Sequence, residues 1–303
     1  MRARNLRFGA DWAPSPPEAL RRSLDDQFDE LSDLIKNRSW TALTGAGIST
    51  DSGIPDYRGP DSPRATPMMY GEFVGSVQAR QRYWARSFLG WQRMRVAHPN
   101  AGHLALAELA AYGLNGVITQ NVDGLHHAAG SDPVIDLHGR ISQVICLDCG
   151  QVTDRADYQQ RLLELNPGIS GSEEDLRHAE LRPDGDAVVD DWSGFVVAPC
   201  LNCGGVLKPD VIFFGETVPR DRVQRCYDLI NDSELLLVAG SSLAVMSGLR
   251  FVRHDAKAGK PVIIINRGAT RGDDLATLRI DAGTTEALQA LLAWVSASTP
   301  PAN

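Results

Sequence analysis

His138 closes the short apolar run VIDL and is followed at once by Gly139. A histidine at the end of a buried strand is placed to act as a general base near neutral pH. His126 and His127 are expected inside a helix, and neither they nor His98, His103, His178 and His254 share that position. A second apolar run, GVI, ends in Thr119-Gln120-Asn121-Val122-Asp123, whose amides and carboxylate would project into a crevice as a helix begins. A third, WTAL, ends in Thr44-Gly45-Ala46-Gly47. This supplies the first two glycines of a G-x-G-x-x-G phosphate loop, but Thr50 stands where the third is required. A second turn follows directly, with Gly53, Pro55 and Gly59 around Asp56, Tyr57 and Arg58.

Cys146-Leu-Asp-Cys149 and Cys200-Leu-Asn-Cys203 are each followed by glycine. Two C-x-x-C knuckles offer four thiolates, the donor set of a tetrahedral zinc ion with bonds of about 2.3 Å. All four positions are then filled by sulfur, so the site is closed and structural. The 50 residues between the pairs do not forbid this, because loop-closure entropy grows only logarithmically with length. Neither pair sits on a strand-to-helix turn, which argues against a redox couple. The fifth cysteine, Cys226, lies on the apolar face of a helical pattern and reads as a small buried hydrophobe.

These residues need a scaffold. Leu24, Phe28, Leu31, Leu34 and Ile35 have the spacing of an amphipathic helix. Further helical patterns follow Asn100, a candidate N-cap, as far as Gly113, and cover Val223, Cys226, Tyr227 and Ile230. Two more apolar runs, ELLLVA into Gly240-Ser241 and PVIII into Asn266, bring the total of abrupt polar endings to five. Alternating short apolar strands and helices predict an α/β fold with a doubly wound, parallel, Rossmann-like sheet. Ligands of such sheets bind beyond the carboxyl ends of the strands, where all the unusual residues here collect. Two segments interrupt the pattern: an aromatic-rich helical insertion and a smaller zinc-binding module. The expected division is a flexible arm over 1–22, a nucleotide-binding domain over 23–64, 101–143 and 208–297, the insertion over 65–100, the module over 144–207, and a tail over 298–303.

With 303 residues and 43% hydrophobic content, the chain can bury a substantial core. A formal net charge of −8 argues against a groove that works by neutralising nucleic-acid phosphates. No apolar run reaches the length of a membrane span. The arginine-bearing N-terminus has no apolar stretch of a secretory signal; it reads as an irregular arm, with a transit peptide as the alternative. Cysteines in metal-type spacing fit the cytoplasm better than a disulfide framework.

The motifs GAGIST…GIPDYRG, TQNVDGLH, LHG, the two C-x-x-C pairs, LKPDVIFFGE, GSSL and IIN stand in the order found in the sirtuins, the NAD⁺-dependent protein deacylases. The resemblance covers residues 25–292. The stretches RQRYWARSFLGW, CLDCG, LNPG, RPDGD and TRGDDLA are most similar to the class II branch, which includes mitochondrial sirtuins described as lipoamidases and ADP-ribosyltransferases. The resemblance implies that Gly45, Ala46, Gly47 and Ser49 hold the pyrophosphate, while Ile54 and Asp123 bind the nicotinamide carboxamide. Tyr57 covers the reacting ribose, with Asp56 and Arg58 ordering the loop. Gln120 is among the cofactor-binding residues, Asn121 orients the ribose and a water, and His138 takes the proton of the ribose hydroxyl system. Gly240, Ser241, Ser242, Asn266, Arg267 and Gly268 grip phosphates and adenosine ribose, and Thr284 lies near adenine. Cys146, Cys149, Cys200 and Cys203 hold one structural Zn²⁺. A dehydrogenase keeps nicotinamide flat for hydride transfer; an enzyme that severs it from the sugar needs the second loop.

The implied partner is an acyl-lysine protein bound as an extended peptide along Val211, Ile212, Phe213, Phe214, Gly215 and Glu216; no nucleic acid or membrane is expected, and the sequence does not decide the oligomeric state. The alternative for VLKPDVIFFGE is a plain buried strand. Tyr83-x-x-Arg86 resembles a tyrosine–arginine pair that accepts acidic acyl groups, although arginines on that amphipathic helix also suit solvent. The chain departs from the family pattern twice: Met246-Ser247-Gly248 stands where a proline is common, and Thr285-Glu286 replaces Gly-Glu. Two other functions compete with deacylation: mono-ADP-ribosyl transfer in the same site, and a non-catalytic NAD-binding interaction module.

Overall fold

The computed structural model describes residues 24–57, 67–167 and 192–298. The expected arm over 1–22, the Gly/Asp-rich stretch 168–191, Arg58 and nearly all of the tail lie outside them.

Helix α1 (Leu24–Ile35) leads into β1 (Trp40–Thr44) and the glycine turn. The insertion forms α2 (Tyr70–Gly75) and α3 (Val77–Met94). Next come α4 (Ala101–Glu108), β2 (Leu114–Thr119), α5 (Leu125–Ala128), β3 (Val134–Asp136), β4 (Gly139–Cys146), β5 (Val152–Asp154) and α6 (Arg155–Leu165). After Trp192 the chain forms β6 (Leu207–Val211), α7 (Arg220–Asn231), β7 (Leu235–Ala239), α8 (Met246–Lys257), β8 (Val262–Ile265), β9 (Leu278–Ile280) and α9 (Thr284–Ser298).

Strands β1, β7 and β8 are buried at every position, which explains their unbroken apolar sequences: helices cover both faces of a parallel sheet. The strand order is β3-β2-β1-β7-β8-β9, with every pairing parallel. On one face Trp40, Ala42, Leu235, Leu237 and Ile263 pack with Leu31, Leu106, Leu288 and Leu291 of α1, α4 and α9. On the other, Leu43, Ile118, Leu236, Val238 and Ile264 meet Cys226, Ile230, Leu249 and Phe251 of α7 and α8. Cys226 is thus a core residue, and burial pushes its thiol up to about 12. No helix among the described residues is long and apolar enough to cross a membrane.

The register fixes the functional geometry. Thr44 pairs with Thr119 and with Ala239, Thr119 with Asp136, Ala239 with Ile265, and Ile265 with Ile280. The six carboxyl ends therefore form one row, and the residues after them share a rim. β1 has β2 on one side and β7 on the other, so the strand order reverses between β1 and β7, where open α/β sheets bind ligands.

A second, antiparallel sheet runs β5-β4-β6. It uses Gly139–Gln143 and Lys208–Val211 as well as the cysteine segment between them. Phe73, Tyr83, Trp84 and Phe88 of the insertion share one apolar cluster with Tyr158, Leu162, Phe195 and Leu207 of the cysteine module. Arg155 fastens the two together. Its fully buried guanidinium lies 5.2 Å from the Trp84 ring and 5.3 Å from Trp91, and donates to Ser87 O at 3.3 Å. The two smaller segments thus form one structural body beside the large sheet.

Candidate active site

The turn after β1 and the turn after β7 interlock. Gly45 N donates to Ala239 O at 3.1 Å and Gly47 N to Gly240 O at 2.8 Å. A Cβ on Gly45 would fall 2.8 Å from Gly240 O, and one on Gly47 2.9 Å from Gly240 Cα, so a side chain at either position would force the turns apart. Asn100 caps α4 and donates its Nδ2 to Ile48 O at 2.7 Å, and the Thr284 hydroxyl donates to Gly47 O at 3.1 Å. Gly45 to Gly47 and Gly240 therefore make a rigid wall of the switch-point crevice.

Beside this wall, and bonded to it, stand the residues after β2. Their helix starts only at Leu125, and residues 120–124 form an irregular turn. Asn121 Nδ2 donates to Gly45 O at 3.1 Å and to Ser49 Oγ at 2.9 Å, while Ser49 Oγ donates to Asp123 Oδ2 at 2.7 Å. Asp123 Oδ1 accepts from Leu125 N at 2.9 Å. Burial holds the Asp123 carboxyl above the usual range, and these hydrogen bonds pull it back. Ile54 is buried against Trp91, Leu125 and Ile141; Asp56 is half-buried, and Tyr57 is 39% exposed.

His138 follows β3. Its Nδ1 lies 2.9 Å from Gln120 O and its Nε2 2.8 Å from Ser247 Oγ. A carbonyl only accepts, so Nδ1 carries the proton and Nε2 the lone pair. Burial lowers the imidazole pKa to about 4, the Gln120 carbonyl opposes this, and Arg222 and Arg250 add to it. The ring is neutral at physiological pH, as a base must be. Gln120 Oε1 in turn accepts from Ser241 Oγ at 2.6 Å.

The segment after β6 is tied to the same histidine, since Ile212 N donates to His138 O at 2.8 Å. Lys208, 3% exposed, pairs with Glu216 at 3.2 Å, and Glu216 Oε2 also accepts from Phe213 N at 2.8 Å. This half-buried pair curls Val211–Glu216 into a loop around Gly215, whose φ is +83°. Phe214 meets Tyr57 edge-on at 6.2 Å. Tyr83 is only 2% exposed, with its ring 5.1 Å from Phe213 and 5.4 Å from Phe73, while Arg86 is half-buried on the same helix. Ser242 is half-buried, and beyond β8 Asn266 Nδ2 donates to Arg267 O and Gly268 O at 2.8 and 3.1 Å, with Arg267 and Gly268 exposed.

The four cysteine sulfurs lie within 4.8 Å of one another, with Cys146–Cys203 at 3.5 Å and Cys149–Cys200 at 3.8 Å. A tetrahedral ion with bonds of about 2.3 Å requires sulfurs roughly 3.8 Å apart, so the quartet fits zinc. The glycine turns after β1 and β7, the amide–carboxyl pair and His138 come together at the rim, and the cysteines stand apart from it in the second sheet and its turns. Ser247, Lys208 and Asn100 join the site without having been singled out for it. Each had left a trace of another kind: Asn100 as a cap, Lys208 within the LKPDVIFFGE motif, and Ser247 within a departure from the family pattern.

Acid should destabilise this arrangement. Burial lowers His103 and His138 to about 4 and His126 well below 6.5. Between pH 6.5 and 4 the unfolded chain therefore binds more protons at these sites, and stability falls with pH by up to about 1.4 kcal/mol per unit for each histidine. Asp255, raised by burial to about 6, works in the opposite direction over the lower part of this window, as does Asp123. The histidines outweigh them, so thermal melts should shift downward from pH 7 to pH 5. An unchanged melting temperature across that range would refute the balance.

Residues 45–247 match the family model described as Sir2 family. The chain is 55% identical over 265 residues to "NAD-dependent protein deacetylase 1" of Mycobacterium avium (strain 104), covering 87% of this chain and 94% of that protein. It is 54% identical over 255 residues to the protein of the same name in Streptomyces coelicolor (strain ATCC BAA-471 / A3(2) / M145), covering 82% and 84%. A solved structure described as "Sir2-p53 peptide-NAD+" superposes with a TM-score of 0.68 at 30% identity, over 89% of this chain and 99% of the other. The span matched by the family model contains the glycine turn, His138 and the whole cysteine quartet; the chain belongs to the Sir2 family.

Proposed function

We propose that the chain is an NAD⁺-dependent protein lysine deacylase, which moves the acyl group of an acyl-lysine onto the ADP-ribose part of NAD⁺ and releases nicotinamide. One observation carries the reading: the aligned strand ends bring a glycine turn, an amide–carboxyl network and a neutral histidine to one crevice. The donor set suits a dinucleotide, with close-packed glycines at the switch point and half-open Ser242 and Asn266 along the same rim. When bound, NAD⁺ supplies a sugar carbon activated by its bond to nicotinamide.

The chain's residues do the rest. Gly45–Gly47, Ser241, Ser242 and Asn266–Gly268 hold the phosphates and adenosine, with Thr284 at the adenine side. Ile54 and Asp123 receive the carboxamide, Asp56 orders the loop, and Tyr57 closes over the sugar. Asn121, fixed by Ser49 and Gly45, orients the sugar hydroxyls and a water. His138 Nε2 removes a hydroxyl proton. The peptide lies extended along Val211–Glu216, whose loop Lys208 and Glu216 brace. Phe213 rests on the buried Tyr83, which favours an apolar acyl chain over an acidic one. Nucleotide-binding residues then belong to 23–64, 101–143 and 208–297. The motif resemblance supports the class II branch, and cysteines in metal-type spacing suit the cytoplasm.

The purified protein should be incubated with adenine-labelled NAD⁺ and peptides bearing acetyl-, succinyl-, glutaryl-, hydroxymethylglutaryl- and lipoyl-lysine. Deacylated peptide and nicotinamide should appear in equal amounts, with the label in a small acyl-ADP-ribose, and the neutral acyl groups should react faster than the acidic ones. Label retained on protein without acyl-ADP-ribose would replace this reading with mono-ADP-ribosyl transfer. No NAD⁺ consumption with any peptide would leave a binding module.

A further inference from the structure

Helix α8 opens with Met246-Ser247-Gly248, where the sirtuin pattern commonly has a proline. The residue preceding the helix, Val245, has no side-chain oxygen to cap it, and Ser247 lies in the first turn. Its hydroxyl instead reaches across 109 residues of sequence to His138 Nε2, at 2.8 Å. The contact is built in from both sides. Gly248 abuts Gln120 so closely that a Cβ there would lie 2.7 Å from the Gln120 amide nitrogen. Gln120 also takes the Nδ1 proton of His138 on its carbonyl and the Ser241 hydroxyl proton on Oε1. The first turn of α8 and the turn after β2 therefore grip the imidazole between them.

We propose that Ser247 is a positioning residue for His138: its hydroxyl holds the Nε2 lone pair on the crevice side and occupies it until a sugar hydroxyl of NAD⁺ takes its place. The inference rests on the assignment of His138 as the base. Since Nδ1 is the protonated nitrogen, Nε2 accepts from Ser247 Oγ–H in the resting enzyme. When Nε2 takes the proton of the sugar hydroxyl, the imidazolium becomes a donor on both nitrogens. Ser247 keeps its own proton, rotates, and accepts from Nε2–H. One proton has then moved, from sugar oxygen to imidazole, with acceptors waiting at both ring nitrogens.

Donation by Ser247 to the bare nitrogen favours the neutral ring. Losing it should raise the His138 pKa by about 0.5 to 1 unit, which is what a neutral hydrogen bond is worth. The charged groups facing the ring are Arg222 of α7 and Arg250 of α8, and both stay in place in the variant. Their influence is screened by salt, whereas the serine effect is not.

The test compares wild type, Ser247→Ala and Ser247→Thr. In Ser247→Ala the acid limb of kcat/KM for NAD⁺ should move up by about 0.5 to 1 pH unit, equally at low and high salt. Its kcat should fall about 5-fold or more, with KM for NAD⁺ unchanged or lower, because the sugar no longer displaces a hydroxyl. Ser247→Thr, which keeps the hydroxyl, should restore both. Nitrogen NMR of His138 in the NAD⁺-free protein should show a hydrogen-bonded Nε2 in wild type and Ser247→Thr but not in Ser247→Ala, with the same shift in titration midpoint. An unmoved limb, midpoint and Nε2 signal in Ser247→Ala would overturn the proposal. Absence of acyl-peptide turnover in wild type would instead remove the functional reading, and the NMR titration would still decide the role of Ser247.

Discussion

His138→Ala should lose about three orders of magnitude in acyl-peptide turnover while binding NAD⁺ nearly as wild type does. General acid–base catalysis contributes typically 10²- to 10⁴-fold, and His138 has the features that place it toward the upper end. Its tautomer is fixed by Gln120 O, its lone pair is held by Ser247 Oγ, and burial keeps it neutral down to about pH 4. The substitution leaves the neighbouring framework standing. The segment after β6 is tied to the backbone oxygen of residue 138, through Ile212 N, and not to the imidazole. The ring's own hydrogen bonds go to Gln120 O and Ser247 Oγ, whereas the Ser49–Asn121–Asp123 network and the interlocked glycine turns are bonded within themselves. Binding calorimetry with NAD⁺ and a steady-state assay with one acyl-peptide separate the two effects. A variant that still deacylates at the wild-type rate would remove His138 from the chemistry.

What the sequence displayed, and what it hid, follows from which interactions are local. Strands β1, β7 and β8 are covered on both faces, so their residues are apolar without interruption and their ends are sharp. Gly45, Gly240 and Asn266 follow those ends, and Gln120 and His138 follow the shorter apolar runs of β2 and β3, so the rim is legible one run at a time. The cysteine quartet was legible because two short spacings predict two ligand pairs. Contacts between distant segments left no such mark. Nothing in SSLAVMSG says that Ser247 meets a histidine after β3, and nothing in LKPDVIFFGE says that Lys208 turns back onto Glu216. The helical spacing of Tyr83 and Arg86 likewise leaves their direction open; the fold turns Tyr83 inward, against Phe73 and Phe213. Asn121 and Asp123 seemed to begin a helix because the polar run resembles a capped start. The hydrogen bonds to Ser49 and Gly45 hold that stretch as a turn and delay the helix to Leu125.

Removing zinc with a strong chelator, or substituting Cys146 by alanine, should melt the smaller part of the molecule and leave the large sheet folded. Structural zinc contributes about 10 to 16 kcal/mol of apparent binding energy in small isolated domains, and here Cys146 and Cys200 belong to the apolar cluster while Cys149 and Cys203 lie outside it. Cys149 and Cys203 are exposed, and the turns that carry them are short and polar. The module's apolar cluster is shared with the insertion through Tyr83, Trp84, Tyr158, Leu162 and Phe195, with the Arg155 guanidinium among their rings. It is separate from the two clusters that flank the parallel sheet. Calorimetry of the metal-free protein should therefore show the loss of one cooperative transition while the other survives. The damage should also reach the substrate. β6 belongs to the second sheet, and it carries Lys208, whose pairing with Glu216 shapes the loop Val211–Glu216. The KM for acyl-peptide should rise at least 10-fold while NAD⁺ binding at the glycine turn changes little, since each 1.4 kcal/mol lost in binding is tenfold. If the fully stripped protein melts as the native one does, with unchanged KM for peptide, the quartet does not staple this fold and zinc has no structural part in it.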